Sequence, residues 1–340
     1  MSTPSSPPHS HFLALPDLAS RAAGAAVVWA NDELFAEKEN LIRPVPAEHR
    51  PATFGHKGQI YDGWETRRRR GADHESHDSV IVRLGAPGIV RGVVVDTAFF
   101  TGNYPPEVSV EALYVHGHPP VDELLGRHWT TLVERSPIDG DTRNPFEVTS
   151  NRRWSHVRLT IYPDGGVARF RVHAQGLLDP QFADLPLDLA AVENGGRITG
   201  CSNMFYSSPN NLLLPGTART MGEGWETSRR RDDGNDWVSV QLAGHGVLTF
   251  AEIDTSYFIG NAPGSAQLRG RDGDGEWFDL LTGTPLQPDT RHRFLIDETR
   301  PVTEARLDIH PDGGLARLRL FGRLTDDGLR RVEENWSLSG

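Results

Sequence analysis

Apolar and polar residues alternate with a period of two over several short stretches. Ala168, Phe170 and Val172 alternate with Arg169, Arg171 and His173, and Ala316, Leu318 and Leu320 alternate with Arg317 and Arg319. Alternation of this kind predicts strands with one face in a core and the other in water. Val80-Ile81-Val82 and Val93-Val94-Val95 predict two strands buried more deeply. Pro163-Asp164-Gly165-Gly166 and Pro311-Asp312-Gly313-Gly314 predict tight turns that supply positive φ between strands. A short helix is predicted from an N-cap at Asp17 to a C-cap at Gly24. With 35 Gly and 24 Pro, breakers are too frequent for long helices. Many short strands joined by Gly/Pro turns predict an all-β chain built from antiparallel jelly-roll sandwiches.

The pattern occurs twice. Asp62 to Arg70 reads DGWETRRRR and Glu223 to Arg231 reads EGWETSRRR. Val95 to Asn103 reads VDTAFFTGN, against IDTSYFIGN at Ile253 to Asn261. Arg158 to Arg171 reads RLTIYPDGGVARFR, against RLDIHPDGGLARLR at Arg306 to Arg319. Upstream, Asp17-Leu18-Ala19 and Gly24 match Asp188-Leu189-Ala190 and Gly195. The matches keep their order while their spacing shrinks. The first copy therefore carries extra residues between Asn40 and Asp62, and again between Asn103 and Phe146. So long a period means domain duplication rather than a solenoid. The expected organisation is a disordered tail over 1–13, a first jelly-roll repeat over 14–176, a linker over 177–187, a second repeat over 188–324 and a C-terminal tail over 325–340.

Composition narrows the function. The chain has 46 acidic and 35 basic residues, a formal net charge of −11, which disfavours a general nucleic-acid binder. One cysteine forms no intrachain disulfide and supplies no Cys-rich zinc site. No stretch approaches the roughly 18 apolar residues of a spanning helix. Met1 to His11 lacks the basic flank and apolar run of a signal peptide. A soluble, cytoplasmic protein is expected.

Candidate chemistry centres on Trp64-Glu65-Thr66 and the arginines Arg67 to Arg70, because guanidinium donors form a rigid fork suited to a carboxylate or ureido oxygen. If the segment is a strand, Glu65, Arg67 and Arg69 share one face and Arg68 and Arg70 the other. A solvated edge strand paired to carboxylates is the alternative. Asp96 and Asn103 follow a buried strand and suit either a pocket mouth or loop amides. His56 and Lys57 lie in the extra loop of the first copy. His74, His77 and Asp78 are close in sequence but match no zinc spacing and are not repeated. Nucleophile-elbow, P-loop, Rossmann and catalytic-Cys signatures are missing, and Cys201 reads as packed.

Taken together, Asp17-Leu18-Ala19-Ser20-Arg21, Lys38-Glu39-Asn40-Leu41-Ile42, Asp62 to Arg69, Asp96 to Asn103 and Pro163 to Arg169 resemble the allantoicase family. The second copy carries a weaker echo at Ser208-Pro209-Asn210-Asn211-Leu212, Gly224-Trp225-Glu226-Thr227, Asp254-Thr255 and Pro311-Asp312-Gly313-Gly314. The resemblance implies two jelly rolls of the galactose-binding type, hydrolysis of allantoate to ureidoglycolate and urea in purine (allantoin) degradation, and a homo-oligomer, a trimer or hexamer. Two positions depart. Ser79 stands opposite Trp237, and Met204 stands where an acidic residue is expected.

Allantoate carries one carboxylate and two ureido groups on a single carbon. Its cleavage calls for an acid, a base and a carboxylate anchor, with no cofactor and no strict need of a metal; a Mn²⁺ requirement is left open. The catalytic candidates are Glu65, Asp96 and His56. The binding candidates are Trp64 for packing, Arg67 and Arg69 for the carboxylate, Asn103 for a ureido group, and Lys57. The first copy is expected to be the active one. The rival readings are a non-catalytic tandem jelly roll that binds carbohydrate or a small anion, with eight tryptophans as stacking platforms, and a metal-dependent ureido hydrolase.

Overall fold

One strand of unusual length organises each half of the chain. In a computed structural model, which describes residues 11–340, contacts divide the chain into Met1–Gln175 and Gly176–Gly340, unit one and unit two. The expected tail over 1–13 falls outside the described residues as far as residue 10; beyond it His11–Ala14 forms a 3₁₀ turn. Among the described residues no helix is long and apolar enough to cross a membrane.

In unit one the two valine-rich stretches, expected as separate strands, are the ends of a single strand, Asp78–Asp96. Its first half pairs with Ala26–Ala30 on one side and Arg153–Tyr162 on the other, and the sheet continues through Glu107–Leu113 to Thr130–Pro137. The register then shifts between Arg83 and Gly88. The second half pairs with Arg143–Glu147 and Arg169–Gly176. One strand thus runs through both layers of a jelly roll. Between the layers lie Val80, Val82, Val93, Val95, Val110, Leu159 and Phe170, all with no exposed surface. Alternate residues of these strands face this core, which is the physical content of the period-two pattern.

Unit two repeats the plan. Asp236–Asp254 pairs first with Arg197–Cys201 and Val302–His310, then with Arg291–Leu295 and Arg317–Leu324. The chain is therefore all-β at its core, with two tandem jelly rolls.

Local expectations change in three places. Asp17 does not start a helix. Its carboxylate accepts from the amides of Ala19 (3.0 Å) and Val172 (2.9 Å), and the turn Arg21–Ala23 is capped by Ser20 and closed by Gly24 at φ 92°. The segment 177–187 is no bare linker, since Pro180–Phe182 forms a 3₁₀ turn. The segment 325–340 is no loose tail. Asp326–Leu338 is an α-helix capped by the Thr325 hydroxyl, and its Val332 packs with Leu178 and Ala183. Its apolar positions are too few to be visible as helical periodicity among Asp, Arg and Glu.

Each Pro-Asp-Gly-Gly turn follows a cis Tyr162–Pro163 or His310–Pro311 bond, and Gly165 and Gly313 have φ of 144° and 132°. The next glycine is required by contact. A Cβ on Gly166 would meet the wholly buried Phe100 ring at 2.0 Å, and one on Gly314 the Phe258 ring at 1.9 Å. Gly166→Ala and Gly314→Ala are each expected to destabilise their unit by about 1–3 kcal/mol. Gly102→Ala, where nothing lies within 4 Å, is expected to stay within about 0.5 kcal/mol. Denaturant midpoints of the three variants check this.

Candidate active site

The glutamate of each Trp-Glu-Thr segment is pinned by its neighbours. Trp64 has no exposed surface, and its indole N–H donates to the Asp32 carbonyl at 2.8 Å. Thr66 is 2% exposed; its amide donates to the Gly165 carbonyl (3.1 Å) and its hydroxyl accepts from the Gly165 amide (3.2 Å). The backbone of Glu65 closes on Ala36 in both directions at 3.2 Å and on Gly166 in the short pairing Trp64–Glu65 with Gly166–Val167. With Trp64 and Thr66 held in the interior, the Glu65 side chain projects into a cavity of about 450 Å³.

Asn103 reaches the same carboxyl, its Nδ2 donating to Glu65 Oε1 at 2.8 Å. The loop that carries Asn103 is tied to the glycine turn, since the Asn103 carbonyl accepts from the Gly166 amide at 2.7 Å. It is also strained. Phe99 has φ 69°, a left-handed conformation that a bulky residue avoids, and its amide donates to Asp141 Oδ1 at 2.7 Å. Tyr257 and Asp289 repeat this arrangement in unit two at φ 71° and 2.7 Å. Burial pushes the Glu65 carboxyl above its ordinary value, an effect partly offset by the Asn103 hydrogen bond.

Arg68, Arg70, Tyr104 and Asp164 also line this cavity. Among the described residues the Arg68 and Arg70 guanidinium groups form no hydrogen bond or ion pair, so both are available to an anion. Arg67 and Arg69 are committed elsewhere. Strand pairing ends at Glu65, and beyond it the cavity lining passes through Thr66 to Arg68 and Arg70. The Arg67 guanidinium pairs with the Asp32 carboxylate, which also accepts the Arg67 amide at 2.9 Å. Burial alone would raise the Asp32 carboxyl, but the Leu34 and Arg67 amides and the Arg67 guanidinium hold it below the usual range. Arg69 Nη2 lies 2.5 Å from Asp78 Oδ1, and the Arg69 amide donates to Asp164 Oδ2 at 2.6 Å. Asp78 is wholly buried and also accepts from Asn31 Nδ2 at 2.8 Å.

The other predicted residues separate. Asp96 is buried and serves its loop, accepting the Ala98 amide at 2.9 Å with Arg143 at 3.6 Å, and it does not line the cavity. Trp64 packs beneath the site. His56 and Lys57 lie on the exposed hairpin Phe54–Gly55 and Gly58–Gln59, away from the lining. His77 Nδ1 lies 2.8 Å from the Glu75 carbonyl, and among the described residues no group of three or more His, Cys, Asp or Glu is placed to hold a metal ion. Cys201 is half-buried, and burial pushes its thiol up. None of the eight tryptophans is exposed, so none offers an open stacking platform.

Unit two keeps part of the arrangement. Trp225 and Thr227 are buried, and Asn261 Nδ2 donates to Glu226 Oε1 at 2.8 Å. Arg230 takes the place of Arg69, pairing with Asp236 at 2.9 Å. Asn203 replaces Asp32 where Ser228 replaces Arg67, and its carboxamide binds Ser228 at 2.9 Å through both ends. Glu33 binds the Lys38 ammonium at 3.0 Å, whereas Met204, opposite it, is 61% exposed. Ser79 bonds Thr160 at 3.0 Å in the core, and Trp237 instead lies under Arg306 at 4.3 Å.

The sequence pattern pointed to the segment but missed Asp32, Asn31 and Asp78 as its anchors. A signal existed. Asp78 and Arg69 recur together as Asp236 and Arg230, while Asp32 and Arg67 change together, as bonded partners do.

Two tandem jelly rolls, the first with the Glu65 carboxyl facing two unpaired guanidinium groups across one cavity, define the class of protein. The model of the allantoicase repeat matches residues 16–177 and 187–325. A probable allantoicase of Nocardia farcinica is 59% identical over 316 residues, which span 92% of this chain and 95% of that one. One of Streptomyces coelicolor is 50% identical over 94% of this chain and 89% of its own length. The crystal structure of allantoicase from Saccharomyces cerevisiae superposes with a TM-score of 0.78 at 34% identity, over 90% of this chain and 92% of that chain. The chain belongs to the allantoicase family.

The two sets of arginines are expected to fail differently. Arg69→Ala strands a buried carboxylate and should lower stability by about 1–3 kcal/mol. Arg68→Ala/Arg70→Ala should leave the denaturation midpoint nearly unchanged and raise KM for allantoate at least about tenfold. Denaturation curves and steady-state kinetics on the same preparations separate the two.

Proposed function

We propose that the cavity of unit one is where this chain hydrolyses allantoate, with Glu65 as the group that moves protons. The reaction is the conversion of allantoate and water to ureidoglycolate and urea, a step of purine breakdown. The observation that carries the assignment is one half-buried carboxyl, braced by Asn103, in a cavity walled by the unpaired guanidinium groups of Arg68 and Arg70.

In this reading Arg68 and Arg70 bind the substrate carboxylate, and Tyr104 and Asp164 lie within reach of ureido groups. Glu65, as carboxylate, takes the N–H proton of one ureido group and hands it to the nitrogen of the other as its bond to the central carbon breaks. Urea leaves, and a C=N bond remains. Glu65 then takes a proton from water; the hydroxide adds to the carbon and the proton returns to nitrogen, giving ureidoglycolate. Protons and charge balance across the cycle, and burial makes Glu65 a stronger base than an exposed glutamate. Asn103 fixes the orientation of the carboxyl.

No proton transfer in this cycle is assigned to a cofactor. The same proposal places the enzyme in the cytoplasm as a homo-oligomer, a trimer or hexamer. The single cysteine supports the first, and family resemblance the second.

Glu65→Gln should retain the fold and lose kcat by about 10²-fold or more. Because the working form is the carboxylate, wild-type activity should fall as pH drops through the raised Glu65 value. The acidic limb should lie above the ordinary glutamate value of 4.5. A folded Glu65→Gln enzyme with near-normal kcat, or an acidic limb at or below that value, contradicts the role.

A further inference from the structure

The two copies treat one buried arginine differently. In unit one Arg169 is 1% exposed and saturated. Its Nη2 donates to Asp62 Oδ2 (2.7 Å) and Pro46 O (3.2 Å), its Nη1 to Asp62 O (3.0 Å) and its Nε to Val45 O (2.9 Å). Asp62 is held by Arg43 at 2.9 Å and by the Glu48 amide at 2.9 Å. Of these partners, Pro46 and Glu48 lie in the stretch between Asn40 and Asp62 where the first copy is longer, while the Val45 and Asp62 carbonyls have counterparts in Gly216 and Glu223.

Unit two lacks that insertion. Arg317, the counterpart of Arg169, is 4% exposed. Its Nη1 donates to the Glu223 and Ala316 carbonyls at 2.7 Å, and its Nε to Gly216 O at 3.3 Å. Among the described residues its Nη2 forms no hydrogen bond and no carboxylate pairs with it, and it borders open space rather than protein. Glu223, in the place of Asp62, turns its carboxylate to Arg219 instead, at 2.6 Å. Beside Arg317 there is a cavity of about 420 Å³, lined by Asp254, Glu193, Thr217 and the ion pairs Asp188–Arg319 and Glu252–Arg291.

We infer that this cavity is a second binding site, taking a small monocarboxylate that also carries urea- or amide-type N–H groups. The internal comparison supplies the carboxylate: the Asp62 carboxyl occupies, on Arg169, the position a ligand carboxyl takes on Arg317. The free N–H edge of Arg317 faces the cavity, where a ligand carboxylate can replace water on it with charge-assisted hydrogen bonds. The opposite wall supplies the rest. Glu193 Oε2 is buried without a partner, and the Asp254 carboxylate accepts the Ser256 amide at 2.8 Å and forms no ion pair. Those acceptors call for N–H donors and repel a multiply charged anion. Burial, reinforced by the neighbouring Arg319 cation, pulls Arg317 down to about 10, which leaves it charged at neutral pH. The site does not depend on the reaction assigned to unit one.

N-carbamoylglycine, which has one carboxylate and one ureido group and lacks the doubly substituted carbon, is the probe. Calorimetric titration of the full chain carrying Arg68→Ala/Arg70→Ala should still show one binding event. Adding Thr217→Trp, a change on an exposed part of the lining, should weaken it at least about tenfold. Arg317→Gln should do the same, and acetate and acetamide should each bind more weakly than the probe. Thr217→Trp decides even if Arg317→Gln fails to fold. Absence of binding to the Arg68→Ala/Arg70→Ala chain, or binding unaffected by Thr217→Trp, overturns the inference. Allantoate turnover by the wild-type chain reports on the reaction separately.

Discussion

Everything at the site rests on the burial of Trp64 and Thr66 on either side of Glu65. A carboxyl placed between two core residues has one direction open to it. The hydrogen bonds between Thr66 and Gly165, and the indole bond to Asp32, stop the segment from turning. The glycine turn serves two clients at once. It receives Thr66, and through the Gly166 amide it holds the loop that brings Asn103 to Glu65. Phe100 fills the space that any Cβ on Gly166 would claim. A motif scattered over a hundred residues is thereby one mechanical unit, and its recurrence in unit two as Trp225, Thr227, Gly313 and Asn261 shows that the unit belongs to the scaffold.

Duplication then allowed the copies to diverge around the same frame. Unit one spends its longer loop on Arg169, whose guanidinium is fully enclosed by protein oxygens. Unit two leaves the equivalent cation facing a cavity. Conversely, unit one pairs Asp32 with Arg67, and unit two replaces both members by the neutral Asn203 and Ser228. Exchange of an ion pair for a neutral hydrogen-bonded pair preserves the local geometry without a buried charge.

The β architecture was legible because period-two alternation and the Pro-Asp-Gly-Gly turns report directly on strands and their ends. The duplication was legible because its motifs keep their order. Which arginines face the cavity was not. Alternation predicts a face only while the chain stays extended and paired, and pairing stops at Glu65. The path of the chain after Glu65 is held by Asp32, Asp78 and Asp164, which lie up to 95 residues away from the arginines they bind. Asp96 was ambiguous for a related reason. A carboxylate at a strand end satisfies loop amides and lines a pocket with the same local sequence, and only the fold separates the two. The C-terminal helix escaped notice because its buried side is so narrow: Gly328 and Val332 are its buried residues.

The most direct test of the central claim is a crystal structure of the Glu65→Gln enzyme soaked with allantoate. The account predicts the substrate carboxylate against Arg68 and Arg70, with a ureido group at the amide of residue 65, in the cavity of unit one. Allantoate bound elsewhere while that cavity stays empty would contradict it.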